Sequence, residues 1–202
     1  MTTKKDIEIS QGRTFRLVVR WENEKLIYKP ITGITQEAPA QITCALHGVP
    51  DGWNVAIASV KGMTQINAAN SPPKDKDYIP ATVPTPNSIE LNSVNAADYK
   101  PYVSGGYVQY YEPHSLAAVT ARMKIKDKVG GTVLLDSTIL TPDITITVDD
   151  ADSTITIEID ADVTELITWT KGVYDLEAIE GGVVTALLTG AVSVSKEVTT
   201  TT

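Results

Sequence analysis

Apolar residues recur at every second position through most of this 202-residue chain, the spacing that turns one face of an extended strand to a core and the other to water. Near the start Ile7 and Ile9, then Phe15, Leu17 and Val19, alternate with polar or charged residues, and Gln11-Gly12 marks a turn between the two runs. Later Val119, Ala121, Met123 and Ile125 alternate with Thr120, Arg122, Lys124 and Lys126, which places three cations on one strand face before Val129-Gly130-Gly131 breaks the run. The clearest hairpin has Ile144, Ile146 and Val148 on its first strand and Ile155, Ile157 and Ile159 on its return. Asp149-Asp150-Ala151-Asp152-Ser153 forms its turn. Residues 160–168 predict a short helical turn capped by Asp162 or Thr164. Strands at 173–179, 183–188 and 191–198, the first two joined by Glu180-Gly181-Gly182, complete an antiparallel run. Short strands with turn signals at this spacing predict a β-sandwich.

Between residues 31 and 107 the chain reads as a separate compact β module. Its turns and strands follow in the order Ile34-Thr35-Gln36, His47-Gly48, Asp51-Gly52-Trp53-Asn54-Val55-Ala56-Ile57, Gly62-Met63-Thr64-Gln65-Ile66-Asn67, Asn87-Ser88-Ile89-Glu90-Leu91 and Tyr102-Val103-Ser104-Gly105-Gly106. That order resembles the first catalytic-cysteine half-domain of ubiquitin-activating enzymes, a module that also recurs in bacteriophage virion proteins. The flanking sequence carries a second resemblance. Asp6-Ile7-Glu8-Ile9 through Gly12-Arg13-Thr14-Phe15-Arg16-Leu17, with Ala121-Arg122-Met123-Lys124-Ile125, Tyr174-Asp175-Leu176-Glu177 and Gly190-Ala191-Val192-Ser193-Val194, is similar to the immunoglobulin-like N-terminal domain of phage baseplate upper proteins. In that pattern a short loop joins the early strands to the Ala-Arg-Met strand; here the loop holds the whole second module. The expected fold is all-β: an immunoglobulin-like β-sandwich over residues 1–30 and 112–202, interrupted at 31–111 by a small β-barrel-like module.

Composition agrees with a packed β protein. Hydrophobic residues make up 42% and charged residues 21%, a globular balance. Phe occurs once, so β-branched side chains must build the core. The net charge of −8 is unevenly spread: Lys171 and Lys196 are the only cations beyond Asp136, among many acids, while Lys4, Lys5, Arg13, Arg16, Arg20, Arg122, Lys124, Lys126 and Lys128 lie before it. Such an acidic surface repels phosphate backbones and argues against a nucleic-acid partner. Opposite charges on neighbouring strands or neighbouring subunits are the simplest use of the asymmetry. No apolar run follows the first residues as a signal peptide would require, and none approaches the roughly 20 residues that cross a bilayer. Membrane insertion is therefore not expected.

Candidate chemistry is sparse. Cys44 is the only cysteine and sits in the apolar run Ile42-Thr43-Cys44-Ala45-Leu46, with no nearby cation in sequence to activate it. His47 and His114, the only histidines, lie far apart, and no Ser-His-Asp, Cys-His or metal-ligand spacing exists. The expectation is a non-enzymatic protein without catalytic residues, cofactor or resident metal. Asp149, Asp150 and Asp152, with Asp160 and Asp162 beyond, are the one cluster whose oxygens suit calcium, though Asp in a hairpin turn equally serves to satisfy backbone donors.

Interface candidates are the stiff, charged segment Pro72, Pro73, Lys74, Asp75, Lys76, Asp77 and Tyr78, and the cations Arg122, Lys124 and Lys126. The cations read equally as a solvated face whose lysines guard a strand edge. Tyr107, Tyr110 and Tyr111, with Trp21 and Tyr28, pack two domains together or form an exposed patch. Trp53 or Tyr102 at loop tips would stack on a sugar. The resemblances imply a virion part made in the host cytoplasm: a tail, baseplate or fibre-attachment subunit that contacts other phage structural proteins and repeats as a symmetric homo-oligomer. A capsid decoration protein and a receptor- or glycan-binding tail module are the alternatives.

Overall fold

The computed structural model describes residues 2–197. In chain order its strands are β1 (Thr3–Lys4), β2 (Ile7–Ser10), β3 (Phe15–Arg20), β4 (Glu22–Pro30), β5 (Gly33–Ile34), β6 (Ala40–Thr43), β7 (Asn54–Lys61), β8 (Ile79–Pro80), β9 (Thr82–Thr85), β10 (Ser88–Leu91), β11 (Ser104–Pro113), β12 (Val119–Lys126), β13 (Val133–Asp136), β14 (Thr145–Asp149), β15 (Thr154–Ile159), β16 (Lys171–Glu180) and β17 (Val183–Ser195), with one helix, α1 (Ala161–Glu165). Strand accounts for 52% and helix for 6%, which makes this an all-β protein of the sandwich type. Among the described residues no sheet closes into a barrel.

The chain divides into two compact units, residues 1–21 with 115–202, and residues 22–114. In the first, β1 and β2 both run parallel to β17, and the sheet continues through β16 and β12 to β13. A three-stranded sheet, β14-β15-β3, supplies the other layer. Alternation decides which side chains meet between the layers: Ile155, Ile157 and Ile159 are fully buried while Thr154, Thr156 and Glu158 are only partly covered. They share one core with Ile7, Ile9, Met123, Ile125, Leu176, Val192 and Val194, against which Phe15, Leu17 and Val19 also pack. The hairpin at 144–159 has the pairing its isoleucines predict, with Val148 opposite Ile155 and Ile146 opposite Ile157.

Three local expectations change. The pair of strands expected at 183–188 and 191–198 is one strand, β17, running through Gly190; Val198 lies outside the described residues. Gly190 is not a break, because any Cβ there would collide with the Lys5 carbonyl where the N-terminal strand crosses. The helical turn does form, but Asp160 takes the N-cap position and makes no side-chain cap bond. Asp162 lies inside the first turn. The hydroxyl of Thr164, expected as a cap, is buried and donates to the Arg13 and Ala161 carbonyls.

The third change concerns β4, which the sequence reading leaves with the sandwich. It pairs along its length with β11, from Tyr107 opposite Pro30 to Pro113 opposite Glu22, and so belongs to the inserted unit. That unit contains two four-stranded sheets, β5-β6-β10-β9 and β4-β11-β7-β8. Its separate core includes Ile42, Cys44, Trp53, Val55, Ile57, Met63, Ile89, Leu91, Val108 and Tyr110.

Glu22 and Pro113 are cross-strand partners, so the two ends of the inserted unit lie about 5 Å apart by ordinary strand geometry. Excising residues 22–114 and joining Trp21 to Ser115 through a short Gly-Ser linker is expected to leave a cooperatively unfolding sandwich, and residues 22–114 alone are expected to fold. Thermal melts followed by circular dichroism check both, and a product without a cooperative transition contradicts the division. Within the sandwich, Ile157→Ala should cost about 2–5 kcal/mol in urea unfolding, because Ile157 is completely enclosed.

Candidate functional site

The β4-β11-β7-β8 sheet turns Val55, Ile57, Val108 and Tyr110 to the core of its unit. Alternation therefore sends Leu26, Tyr28 and Pro30 of β4 and Tyr107, Gln109 and Tyr111 of β11 to the opposite, outer face. Ala58 and Ala56 of β7 stand beside Tyr107 and Gln109 on that face. An outer face should be wet, yet Gln109 and Ala56 are only 3% and 1% exposed.

The segment at 70–78 explains the cover. It leads into β8, which pairs with β7, and brings the Tyr78 ring onto Tyr111 with centroids 5.6 Å apart and planes inclined by 28°. The Gln109 amide donates to the Tyr78 hydroxyl at 2.6 Å, the partner a buried polar group requires. Burial pushes the Tyr78 phenol up; the Gln109 bond opposes this, and nearby Tyr111, Tyr28 and Asp75 add to it.

The segment is held by its own carboxylate. Asp77 Oδ2 accepts from Asn70 Nδ2 and from the Lys74 backbone N–H, both at 2.8 Å, which closes a 3₁₀ turn over Asp75–Asp77. These bonds, the backbone one foremost, hold the Asp77 carboxyl below the usual range. Pro72, Lys74, Asp75 and Lys76 are exposed, while Pro73, Asp77 and Tyr78 are half-buried. The segment proposed from sequence as an interface thus joins the tyrosine-bearing face through Tyr78. The sequence reading grouped Tyr107, Tyr110 and Tyr111, but the strand separates them: Tyr110 enters the core and donates its hydroxyl to the His47 carbonyl at 2.5 Å. Tyr28 and Tyr107 stay 55% and 47% exposed.

The cations Arg122, Lys124 and Lys126 are elsewhere, in the sandwich. Their strand β12 lies between β16 and β13, where Lys124 and Lys126 stand opposite Asp136 and Val133 of β13, so the two lysines guard no edge. Arg122 Nε reaches Glu177 on β16 at 2.6 Å, and Lys124 Nζ reaches Asp136 on β13 at 2.7 Å. Opposite charges therefore meet on neighbouring strands of one chain. Lys126 shares with Lys124 a small hollow lined also by Val129, Tyr174 and Asp175. Asp136 is nearly enclosed: its Oδ1 accepts both the hydroxyl and the backbone N–H of Thr138 at 2.7 Å. Lys124 foremost, then Thr138, bring its carboxyl down to about 2.

The remaining sequence candidates are spent on structure. Cys44 is enclosed, and burial pushes its thiol up; Lys29, which sequence spacing does not reveal, opposes this by its charge. His47 Nδ1 accepts the Val49 N–H and its Nε2 faces the Thr85 carbonyl, each at 3.0 Å, so a neutral ring with its proton on Nε2 fits both. Asp150 Oδ1 accepts the Leu116 N–H and the Ser115 hydroxyl, while Asp149 Oδ1 accepts the N–H groups of Ala151 and Asp152. Among the described residues no three His, Cys, Asp or Glu side chains gather as a metal cluster. Trp53 is fully buried and donates to the Tyr111 carbonyl, and Tyr102 donates to the carbonyls of Ile31 and Gly105; Trp53 therefore offers no ring at a loop tip.

What the tyrosine face can do follows from its groups. It exposes the rings and phenol hydroxyls of Tyr28 and Tyr107, while the Gln109 amide is enclosed and bonded to Tyr78. No family model matches the chain, and a search of curated proteins finds no match.

The Asp136 carboxyl titrates near 2, below its ordinary 3.8, so its contribution to stability is complete above about pH 4 and is lost as pH falls towards 2. Asp136→Asn is expected to lower the urea midpoint at neutral pH, and its deficit against the wild type should shrink across that acid window. A deficit independent of pH would remove the ion pair with Lys124 as its cause.

Proposed function

We propose that this chain is a non-enzymatic structural protein of a bacteriophage virion, a tail, baseplate or fibre-attachment subunit. The observation that supports this reading most is the architecture: a β-sandwich interrupted by a separately cored β unit whose two ends are cross-strand neighbours. It agrees with the two sequence resemblances, an immunoglobulin-like baseplate domain and a half-domain known from virion proteins. In this reading the sandwich docks among other phage structural proteins and the inserted unit is presented to neighbouring subunits or fibres, its exposed Lys74, Asp75 and Lys76 offering charges of both signs. The chain is synthesised in the host cytoplasm, assembles as a symmetric homo-oligomer and resides in the particle.

Immunogold microscopy with an antibody against this chain, on intact and disrupted particles from a lysate of the organism that encodes it, tests the assignment. Label at the tail is the expected result. Label over the head points to capsid decoration instead, and absence of label from both preparations overturns a virion role.

A further inference from the structure

The three-stranded sheet β14-β15-β3 has two free edges, and neither is blunted in the ways that keep strand edges from pairing with another chain. The other edges of the described residues are guarded. On β13, Asp143 accepts the Asp136 N–H and donates to the Asp136 carbonyl. β9 contains Pro84, and its Val83 N–H is taken by Asp51. β4 carries Lys25, Lys29 and Pro30 and pairs with a shift of register. β5 and β8 are two residues long, and the edge made by β1 and β2 is broken at Lys5-Asp6. By contrast β3 and β14 contain no proline, glycine or lysine and pair with β15 without a shift. Neither makes a further backbone hydrogen bond among the described residues.

The core side of both edges is incompletely covered: the isoleucines of the central strand are fully enclosed, whereas Leu17 and Val19 on β3 and Ile146 and Val148 on β14 are only partly buried. A strand added at either edge would cover them, and the outer side chains decide which strand fits. Pairing sets Asp149, Thr154 and Arg20 in one row across the sheet and Thr145, Glu158 and Arg16 in another. β3 and β14 both run antiparallel to β15 and so parallel to each other. A second copy that continues the sheet, its core side kept on the same side, therefore sets its β14 parallel to β3, and an unstaggered register brings its Asp149 beside Arg20. Like edges do not fit in this way. Two β3 strands set antiparallel about Val18 place Arg16 opposite Arg20, where like charges repel, and two β14 strands about Thr147 leave Asp149 opposite Thr145 without a cation. Both members of the unlike pair have unused capacity. Arg20 Nε is shielded from water without a hydrogen-bond partner, the one such side-chain atom among the described residues. Asp149 accepts its turn N–H groups on Oδ1, which leaves Oδ2.

We propose that copies of this chain associate head to tail, β3 of one pairing in parallel with β14 of the next, with an ion pair between Arg20 and Asp149 across each junction. Backbone hydrogen bonds supply the attraction, as in other additions of a strand to an open edge, and the charges select the unlike edge and its register. Because the two edges differ, the contact is heterologous, and its repetition closes as a ring. This names the interface of the symmetric homo-oligomer in the proposed function and rests on that part of the reading, not on the virion assignment.

Sedimentation velocity of the full chain from micromolar to millimolar concentration tests it, on the wild type, on Arg20→Glu, on Asp149→Lys and on an equimolar mixture of the two variants. The wild type is expected to associate as its concentration rises. Each variant alone sets like charges at the junction and should weaken association about tenfold. Mixing the two restores opposite charges at every junction, so association should return, a result that a merely damaged fold would not give. Hydrogen exchange on the wild type decides the interface without any variant: amides of β3 and β14 should slow as the chain associates. A wild type that stays monomeric throughout overturns both this interface and the homo-oligomer. Association that survives both reversals, that mixing does not restore between cooperatively melting variants, or that leaves exchange in β3 and β14 unchanged overturns this interface and keeps the homo-oligomer. The virion assignment is decided separately, by the immunogold label.

Discussion

The pairing of β4 with β11 is the constraint on which the two-unit arrangement depends. A segment inserted between β3 and β12 would ordinarily impose a loop-closure cost on the sandwich, because strands on either side of it must meet in one core. Here six of the nine residues of β4 have partners on β11, the last being Glu22 opposite Pro113. The inserted unit closes itself, and the sandwich sees only two short crossings. Ile155, Ile157 and Ile159 can then stand beside Val19, Leu17 and Phe15 from before the insertion and share a core with Met123 and Ile125 from after it.

Charge is arranged to the same end within the sandwich. Arg122 and Lys124 belong to an interior strand, where an unmatched row of cations would repel itself and leave a basic stripe on the sheet. Glu177 and Asp136 on the two flanking strands neutralise them at hydrogen-bonding distance. Exposed pairs of this kind contribute little, but Asp136 is nearly enclosed and also caps Thr138, so it fixes the end of β13. The backbone N–H of Asp136 in turn donates to the Asp143 carboxylate, and the Asp143 N–H to the Asp136 carbonyl. The edge of this sheet is thus tied by a small polar network as well as by its strand pairing.

Period-two alternation made the sandwich core legible: the isoleucines of β14 and β15 and the apolar set of β12 occupy the faces their spacing predicts. β4 was harder to place because Glu22-Asn23-Glu24-Lys25-Leu26-Ile27-Tyr28-Lys29-Pro30 alternates poorly. An edge strand bonded on one side and half-exposed on both faces needs no strict pattern. Gly190 signals a turn in sequence, yet its role is to admit the Lys5 backbone, a contact that joins opposite ends of the chain. The tyrosine face was only partly visible for the same reason. Tyr107 and Tyr111 share a face by simple parity, but Tyr28 and Tyr78 join them through strand pairing and a loop that local sequence does not specify. Trp53 shows the converse, since its turn context suggested exposure while the fold enclosed it.

Gln109 links the loop chemistry to the sheet. A glutamine at the centre of an outer face would normally be solvated, and once covered it needs a fixed partner or it destabilises the unit. Tyr78 can supply that partner only if the chain before β8 is held in place, and Asp77 holds it by bonding both Asn70 and the Lys74 backbone. The prolines at 72 and 73 restrict the same segment further. The charged segment is first a device for positioning one aromatic ring. Its solvent-facing lysines and Asp75 are free to vary without disturbing that ring, whereas Asn70, Asp77 and Tyr78 are tied to the geometry of the face they help to build.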